Sequence, residues 1–348
     1  MSFIITLLIL ILVLGGIVFI HELGHFLAAK KIGVYVHEFA VGMGPEIFSF
    51  HRKNDETKYS LRAMPLGGYN ALANDMETSK GLKKDQVLEN KSFLGRLFVL
   101  IMGIVFNFIL ALILLFFNGL IYGSPTTEPI IGSVLDESAA QMGGLASGDL
   151  ILSVNGKKVT SFDEVLLETR FGEIKDVYTF VVLRGNTEIS LNIKPDIKEV
   201  DGEKTPSFGF TSSTIRERGL INAVKYSLVQ TWKTTKSVFE ILGKLVTGKI
   251  GAGNLSGPIG VFSVIDNVKQ NGIESIIYLM AYLSINVGVI NLIPVPVFDG
   301  GRILILFIEK IKGKKVNPKL DTYLNTAGTV LLILLMIYVT LNDILKLF

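Results

Sequence analysis

The sequence predicts an α-helical multi-pass membrane protein of about four transmembrane segments, one of them broken, with an inserted α+β module. Three observations lead there. The 348 residues are 49% hydrophobic and 19% charged, with a mean hydropathy of +0.49; soluble domains carry about 25% charged residues. Apolar runs long enough for a hydrocarbon core, about 20 residues, recur along the chain. Between two of them, short β-rich and helical stretches alternate, punctuated by turn residues.

Composition also excludes function classes. A net charge of +3, with no Lys/Arg block interleaved with aromatics, gives no footprint for nucleic acid. There is no cysteine. Disulfides and thiolate metal sites are therefore excluded, and a metal would have to be held by His, Asp or Glu.

The first span occupies 1–30: Phe3–Ile20 is apolar and continues helically through His21–Ala29. A cleaved signal peptide would carry a basic n-region and a small-x-small site, and both are missing here. The span ends on His21-Glu22-Leu23-Gly24-His25. Histidines at i and i+4 share one helix face, so both imidazoles reach a single zinc at about 2.0–2.1 Å. Glu22, beside the first of them, can accept a proton from a metal-bound water, as in the H-E-x-x-H arrangement of zinc proteases. Burying this trio in an apolar span is costly unless it has a function. The bland alternative is a polar helix end snorkelling to the interface, for which Lys or Arg would be the usual choice.

The 31–96 loop is rich in Lys and Arg, as is 302–319 between the last two spans. The positive-inside rule places both in the cytoplasm. Both termini and the intervening 126–270 region then lie outside a cell (inner) membrane. The second span is 97–122. The inserted module, 127–197, follows the Ser124-Pro125 break. Its strands are Ile130–Val134, Leu150–Val154, Val177–Leu183 and Ile189–Ile193; its helices are Ser138–Met142 and Phe162–Thr169. Turns are marked by Gly143-Gly144, Asn155-Gly156 and Arg184-Gly185-Asn186. Within 198–270, Gly219–Ile250 spaces apolar residues helically among lysines, as a helix lying on membrane lipid would. The last segment, 271–348, holds two spans. Ile276–Val297 carries Asn286, Asn291, Pro294 and Pro296 and is predicted as the broken helix. The other is built on Thr329–Leu341.

Two nitrogen ligands leave a catalytic zinc needing a third protein ligand and an open position. His37 and His51 sit in the loop after the first span. Asp299 is the stronger candidate: two prolines unwind the chain before it, and Gly300-Gly301 let backbone approach closely. The alternative is that Asp299 only caps the next helix.

Two resemblances follow from these residues. Gly144-Leu145-Ala146-Ser147-Gly148-Asp149-Leu150-Ile151-Leu152-Ser153-Val154-Asn155-Gly156 resembles the signature of PDZ domains in bacterial proteases. That implies a PDZ-like domain able to take peptide C-termini as an added strand. The alternative is a small β module with no ligand. His-Glu-x-x-His on the first span, this insertion, and Asn291-Leu292-Ile293-Pro294-Val295-Pro296-Val297-Phe298-Asp299-Gly300-Gly301 resemble the site-2 protease family, in its bacterial regulator-of-sigma-E branch. The resemblance covers essentially the whole chain. It implies Zn2+ at His21, His25 and Asp299, with Glu22 as general base. It further implies a membrane-associated β-loop around Gly42-Met43-Gly44-Pro45 that pairs with substrate, with Gly42 and Gly44 as substrate-binding residues. Asn291 would hold the extended substrate backbone. Pro65–Tyr69 and Ser256–Gly260 also match family segments.

The implied function is intramembrane cleavage of single-pass membrane proteins, such as anti-sigma factors or remnant signal peptides. Two departures stand out. Ile104 replaces a frequent proline in the second span, and there is one PDZ-like module where better-known members carry two. The rival classes are a catalytically silent scaffold, disfavoured by the intact His-Glu-His-Asp set, and a transporter, disfavoured by the absence of internal repeats. The module could recruit substrates by a new C-terminus or exclude those with bulky external domains. Exclusion is favoured, because membrane anchoring already concentrates a substrate.

Overall fold

The computed structural model describes residues 2–74, 81–126, 128–170, 174–200, 203–213, 215–251, 253 and 256–345. In chain order they form α1 (Ser2–Lys31), β1 (Val36–His51), β2 (Lys58–Leu72), α2 (Phe93–Tyr122), β3 (Ser124–Pro125), β4 (Ile131–Val134), α3 (Ala139–Met142), β5 (Leu150–Val154), β6 (Lys157–Lys158) and α4 (Phe162–Arg170). There follow β7 (Tyr178–Arg184), β8 (Thr187–Ile193), β9 (Asp196–Val200), β10 (Glu203–Ser207), β11 (Phe210–Ser212), β12 (Arg216–Glu217), α5 (Leu220–Val246), α6 (Pro258–Val268), α7 (Ile273–Asn291), α8 (Asp299–Lys312) and α9 (Pro318–Leu345). The chain divides into two compact units, one from Met1–Ala111 with Ser256–Leu345, the other from Leu112–Leu255.

Among the described residues, four helices are long and apolar enough to cross a membrane: Phe3–Lys31, Phe93–Tyr122, Ile273–Asn291 and Lys319–Leu345. The third carries the expected break: within the apolar segment Ile276–Val297, α7 stops at Asn291 and Leu292–Phe298 is a loop. The reason is local: a proline disfavours helix at the residue before it and cannot donate to the preceding turn. The chain then restarts as α8, whose face carrying Leu304, Phe307 and Ile311 is exposed.

In the first unit, β1 and β2 are long bent strands. Glu38–Val41 lies between Lys58–Leu61 on one side and Gly68–Ala71 on the other, while Phe48–His51 pairs with the far side of Lys58–Leu61. Gly42, at the bend of β1, has φ 88°. A Cβ there would meet the Met64 carbonyl oxygen at 2.7 Å, so only glycine fits. Beyond the bend Met43, Ile47, Phe48, Leu61 and Met64 are exposed. At the base, Glu38 accepts hydrogen bonds from Ser60, Arg62 and Tyr69. Burial pushes the Glu38 carboxyl up, but these three donors outweigh it and hold it at about 2.

The second unit is organised around a core of Ile131, Ile151, Val154, Val165, Tyr178, Phe180, Val182, Ile193 and Phe208. Its sheet runs β6-β5-β7-β8. The core runs past residue 197: Phe208 is buried in it, and β11 pairs antiparallel with β4. Asp149 is fully buried and receives Nε and Nη2 of Arg184 at 2.7 and 2.8 Å, closing the turn before β5. Helix α5 presents two faces. Ala223, Tyr226, Thr231, Thr234 and Val238 are buried, whereas Ile221, Val224, Leu228, Trp232 and Phe239 are exposed. It is held to α4 by Lys236–Glu164 at 2.6 Å and Lys244–Glu168 at 3.6 Å.

Candidate active site

The site is assembled where α1 crosses α2. Gly24 makes the crossing close: a Cβ at this position would lie 2.3 Å from the Met102 carbonyl oxygen. His21 and His25 flank it on the same face. On α2, Val99, Gly103 and Asn107 follow at intervals of four and so form one stripe. His25 Nδ1–H donates to the Val99 carbonyl at 2.8 Å, which leaves its Nε2 lone pair free. Gly103 leaves room for that ring, since a Cβ there would sit 2.3 Å from His25 Nε2. His21 Nδ1 faces the Asn107 amide at 3.3 Å.

The third group arrives on α8. Asp299 lies in its first turn, and no side chain caps that helix. The adjoining glycines are required sterically: a Cβ on Gly300 would be 2.3 Å from the Leu292 carbonyl oxygen, and one on Gly301 2.2 Å from that of Val295. The loop can therefore fold over the start of α8 and hold the carboxylate towards α1.

The three candidate ligand atoms form a nearly equilateral triangle. His21 Nε2 and His25 Nε2 are 3.1 Å apart, and Asp299 Oδ2 lies 3.2 Å from the first and 3.3 Å from the second. A tetrahedral ion with ligands at about 2.0–2.1 Å has edges of about 3.3–3.4 Å. Asp299 Oδ2 is buried and, despite these short separations, satisfies no hydrogen bond. Three Lewis bases facing one point, with an unsatisfied carboxylate oxygen among them, fit a cation and not a hydrogen-bonded cluster. Both histidines are buried. Glu22, between them in sequence, is held from the other side: Asn70 Nδ2 on β2 donates to its Oε2 at 2.6 Å and to its backbone oxygen at 2.7 Å.

The family model for peptidase family M50 matches residues 9–335. The chain belongs to peptidase family M50. The peptidase is 32% identical to the regulator of sigma-W protease RasP of Bacillus subtilis (strain 168), with 99% of this chain and 100% of that protein covered. It is 30% identical to the zinc metalloprotease RasP of Geobacillus kaustophilus (strain HTA426), with 97% of each covered. A putative zinc metalloprotease of Fusobacterium nucleatum subsp. nucleatum is 35% identical over 99% of each. With its four apolar helices, the peptidase is a multi-pass membrane metalloendopeptidase.

The fold of the peptidase brings His21, His25 and Asp299 together with Glu22 alongside. The other three sequence candidates are not among the converging groups. Gly42 and Gly44, with φ 88° and 82°, shape the bend of β1. Asn291 turns its amide back on its own helix and donates to the Val287 carbonyl at 3.0 Å. Residues not singled out by sequence are Asn70, which holds Glu22, and Val99 and Asn107, which meet the imidazoles. A polar residue inside the apolar run 97–122, four positions after a glycine, was the available signal for Asn107.

Proposed function

We propose that His21, His25 and Asp299 hold Zn2+ and that Glu22 is the general base in cleavage of single-pass membrane proteins. The observation carrying this is the triangle of 3.1, 3.2 and 3.3 Å edges closed by a carboxylate oxygen without a hydrogen bond. When bound, the ion supplies Lewis acidity, lowering the pKa of a water towards about 7 and polarising the scissile carbonyl. The protein's own groups do the rest. Glu22, oriented by Asn70, takes the proton of the attacking water and returns it to the leaving nitrogen. Val99 fixes the His25 ring through its carbonyl.

A helical substrate has its carbonyls hydrogen-bonded and must unwind before attack. An extended segment can regain partners by pairing with the sheet of β1 and β2, whose Gly68–Ala71 segment carries Asn70. Gly42 and Gly44 give that sheet its bend, and Asn291, once its amide is released from Val287, holds the substrate backbone. The Bacillus relative is named a regulator of sigma-W protease, which supports the family-implied reading of anti-sigma factors as substrates; remnant signal peptides have the same single-pass chemistry.

The lysine and arginine distribution supports a cytoplasmic placement of 30–96 and 302–319, with both termini and the inserted module outside. A PDZ-like reading of the module is supported by β11, which among the described residues pairs with β4 alone and so leaves an edge for a peptide. Its place in the chain between two spans supports a filter against bulky external domains. The exposed apolar face of α5, with Trp232 among lysines, supports contact with lipid headgroups.

The assignment is tested with zinc content and hydrolysis of a model membrane peptide. Glu22→Gln is expected to keep the metal and lose hydrolysis, and His25→Ala to lose both. Full zinc occupancy in His25→Ala, or near-normal turnover in Glu22→Gln, contradicts it.

A further inference from the structure

Asn107 is wholly buried in the second span, and its Oδ1 has no hydrogen-bond partner while its Nδ2 faces His21 Nδ1 at 3.3 Å. A primary amide without its hydrogen bonds is expensive in an apolar helix. This one is also fixed at the backbone, because Ser284 Oγ donates to the Asn107 carbonyl at 2.9 Å. Its position is not incidental: it is the third residue of the Val99, Gly103, Asn107 stripe, and His25 already uses the first.

The two imidazoles have the same requirement. To offer Nε2 as a ligand, each must carry its proton on Nδ1 and give it to an acceptor. For His25 the acceptor is the Val99 carbonyl. For His21 the group at that position is the Asn107 amide, whose oxygen and nitrogen ends have the same shape and exchange by a half-turn. With Nδ2 towards His21, the ring must be protonated on Nε2, which points at Asp299 and cannot ligate. With Oδ1 towards His21, Nδ1–H is the donor and Nε2 is free.

We propose that Asn107 is a positioning residue that selects the metal-binding tautomer of His21, its side-chain oxygen doing for that ring what the Val99 carbonyl does for His25. This rests on the metal reading above. The end of the amide that the ligating tautomer requires is Oδ1, the one left without a partner. A carboxylate at this position could only accept and would hold the ring in the ligating form throughout.

The test uses the full-length peptidase in lipid nanodiscs, with zinc affinity measured by chelator competition. The tautomer of His21 is read from the 15N shifts of labelled histidine. Asn107→Ala is expected to weaken zinc about 10–100-fold, the range for losing such an outer partner. It should also leave His21 without a dominant Nδ1–H form. Asn107→Asp is expected to bind zinc at least as tightly as the parent and to show the Nδ1–H form before zinc is added. Ser284→Ala, which perturbs the same turn without touching the amide, is expected to stay within about twofold. Unchanged zinc affinity in Asn107→Ala overturns the proposal, as does an Asn107→Asp protein that loses as much affinity as Asn107→Ala. A loss in Ser284→Ala equal to that in Asn107→Ala shows a structural role only and overturns it too. His21→Ala separates the two levels: if that protein binds zinc as the parent does, the metal reading itself has failed.

Discussion

Replacing Gly24 by Ala probes how closely α1 and α2 must approach for the site to form. The added Cβ would stand 2.3 Å from the Met102 carbonyl oxygen, whereas ordinary contact begins at 3.4 Å. The obstacle on both sides is backbone, so no side chain can swing aside, and the helices must part by about 1.1 Å. Gly24 lies between the two histidines, and the opposing residue is one turn from Val99. The displacement therefore acts directly on the His25–Val99 hydrogen bond of 2.8 Å and on the ligand triangle. A misplacement of about 1 Å costs on the order of 100-fold in rate, or about 2.7 kcal/mol of transition-state stabilisation. Gly24→Ala is therefore expected to lower kcat/KM for a model membrane peptide about 100-fold, with the protein still inserted and folded. Steady-state cleavage in nanodiscs, alongside thermal unfolding, measures this. A Gly24→Ala enzyme with parental kcat/KM would refute the close crossing as the element that sets the site.

Three further outcomes are expected. The Glu38 carboxyl, held at about 2 by Ser60, Tyr69 and Arg62 against an ordinary 4.5, contributes stability that is complete above about pH 4.5 and is lost as pH falls towards 2. Carboxyl NMR should give a midpoint well below 4.5 that an Arg62→Gln change raises; an ordinary midpoint in the parent contradicts the network. Single cysteines in this cysteine-free chain should react with an impermeant thiol reagent in intact cells at position 155 and not at position 83, and the reverse pattern overturns the orientation. Replacing residues 127–213, the module with its strand β11, by a short Gly/Ser linker should admit substrates with full external domains while cleavage of trimmed ones persists. Loss of cleavage of the trimmed substrate, in an inserted and zinc-loaded enzyme, favours recruitment over exclusion.

The convergence of His21, His25 and Asp299 was legible because its signals are local or unmistakable. An i, i+4 histidine pair fixes its own geometry, and Asp299 is announced by two prolines and two glycines whose steric need the fold makes explicit. The residues that orient this triad were not legible. Asn70 and Asn107 act through pairings across 48 and 86 residues; nothing local distinguishes Asn70, and the apolar setting of Asn107 marks it as unusual without naming its partner. The break after α7 was legible for a physical reason. Hydropathy continues smoothly through Leu292–Val297, but backbone chemistry at Pro294 and Pro296 does not permit the helix to follow. The inserted module's strands from 150 to 193 were readable from alternation and turn residues. The three-residue strand β11 was not, being too short to show a period and identified only by its pairing with β4.

Zinc-edge X-ray absorption on the purified full-length enzyme, compared with its Asp299→Ala variant, tests the metal centre most directly. The chain offers no sulfur from cysteine, so every protein ligand is nitrogen or oxygen. The predicted result is a four-coordinate ion with light ligands at about 2.0–2.1 Å, two of them showing imidazole scattering, and a sharp fall in zinc affinity when Asp299 is removed. A spectrum with three or more imidazoles would instead bring His37 or His51 into the site. That result, or an Asp299→Ala protein that binds zinc as tightly as the parent with an unchanged spectrum, would contradict the His21, His25 and Asp299 centre.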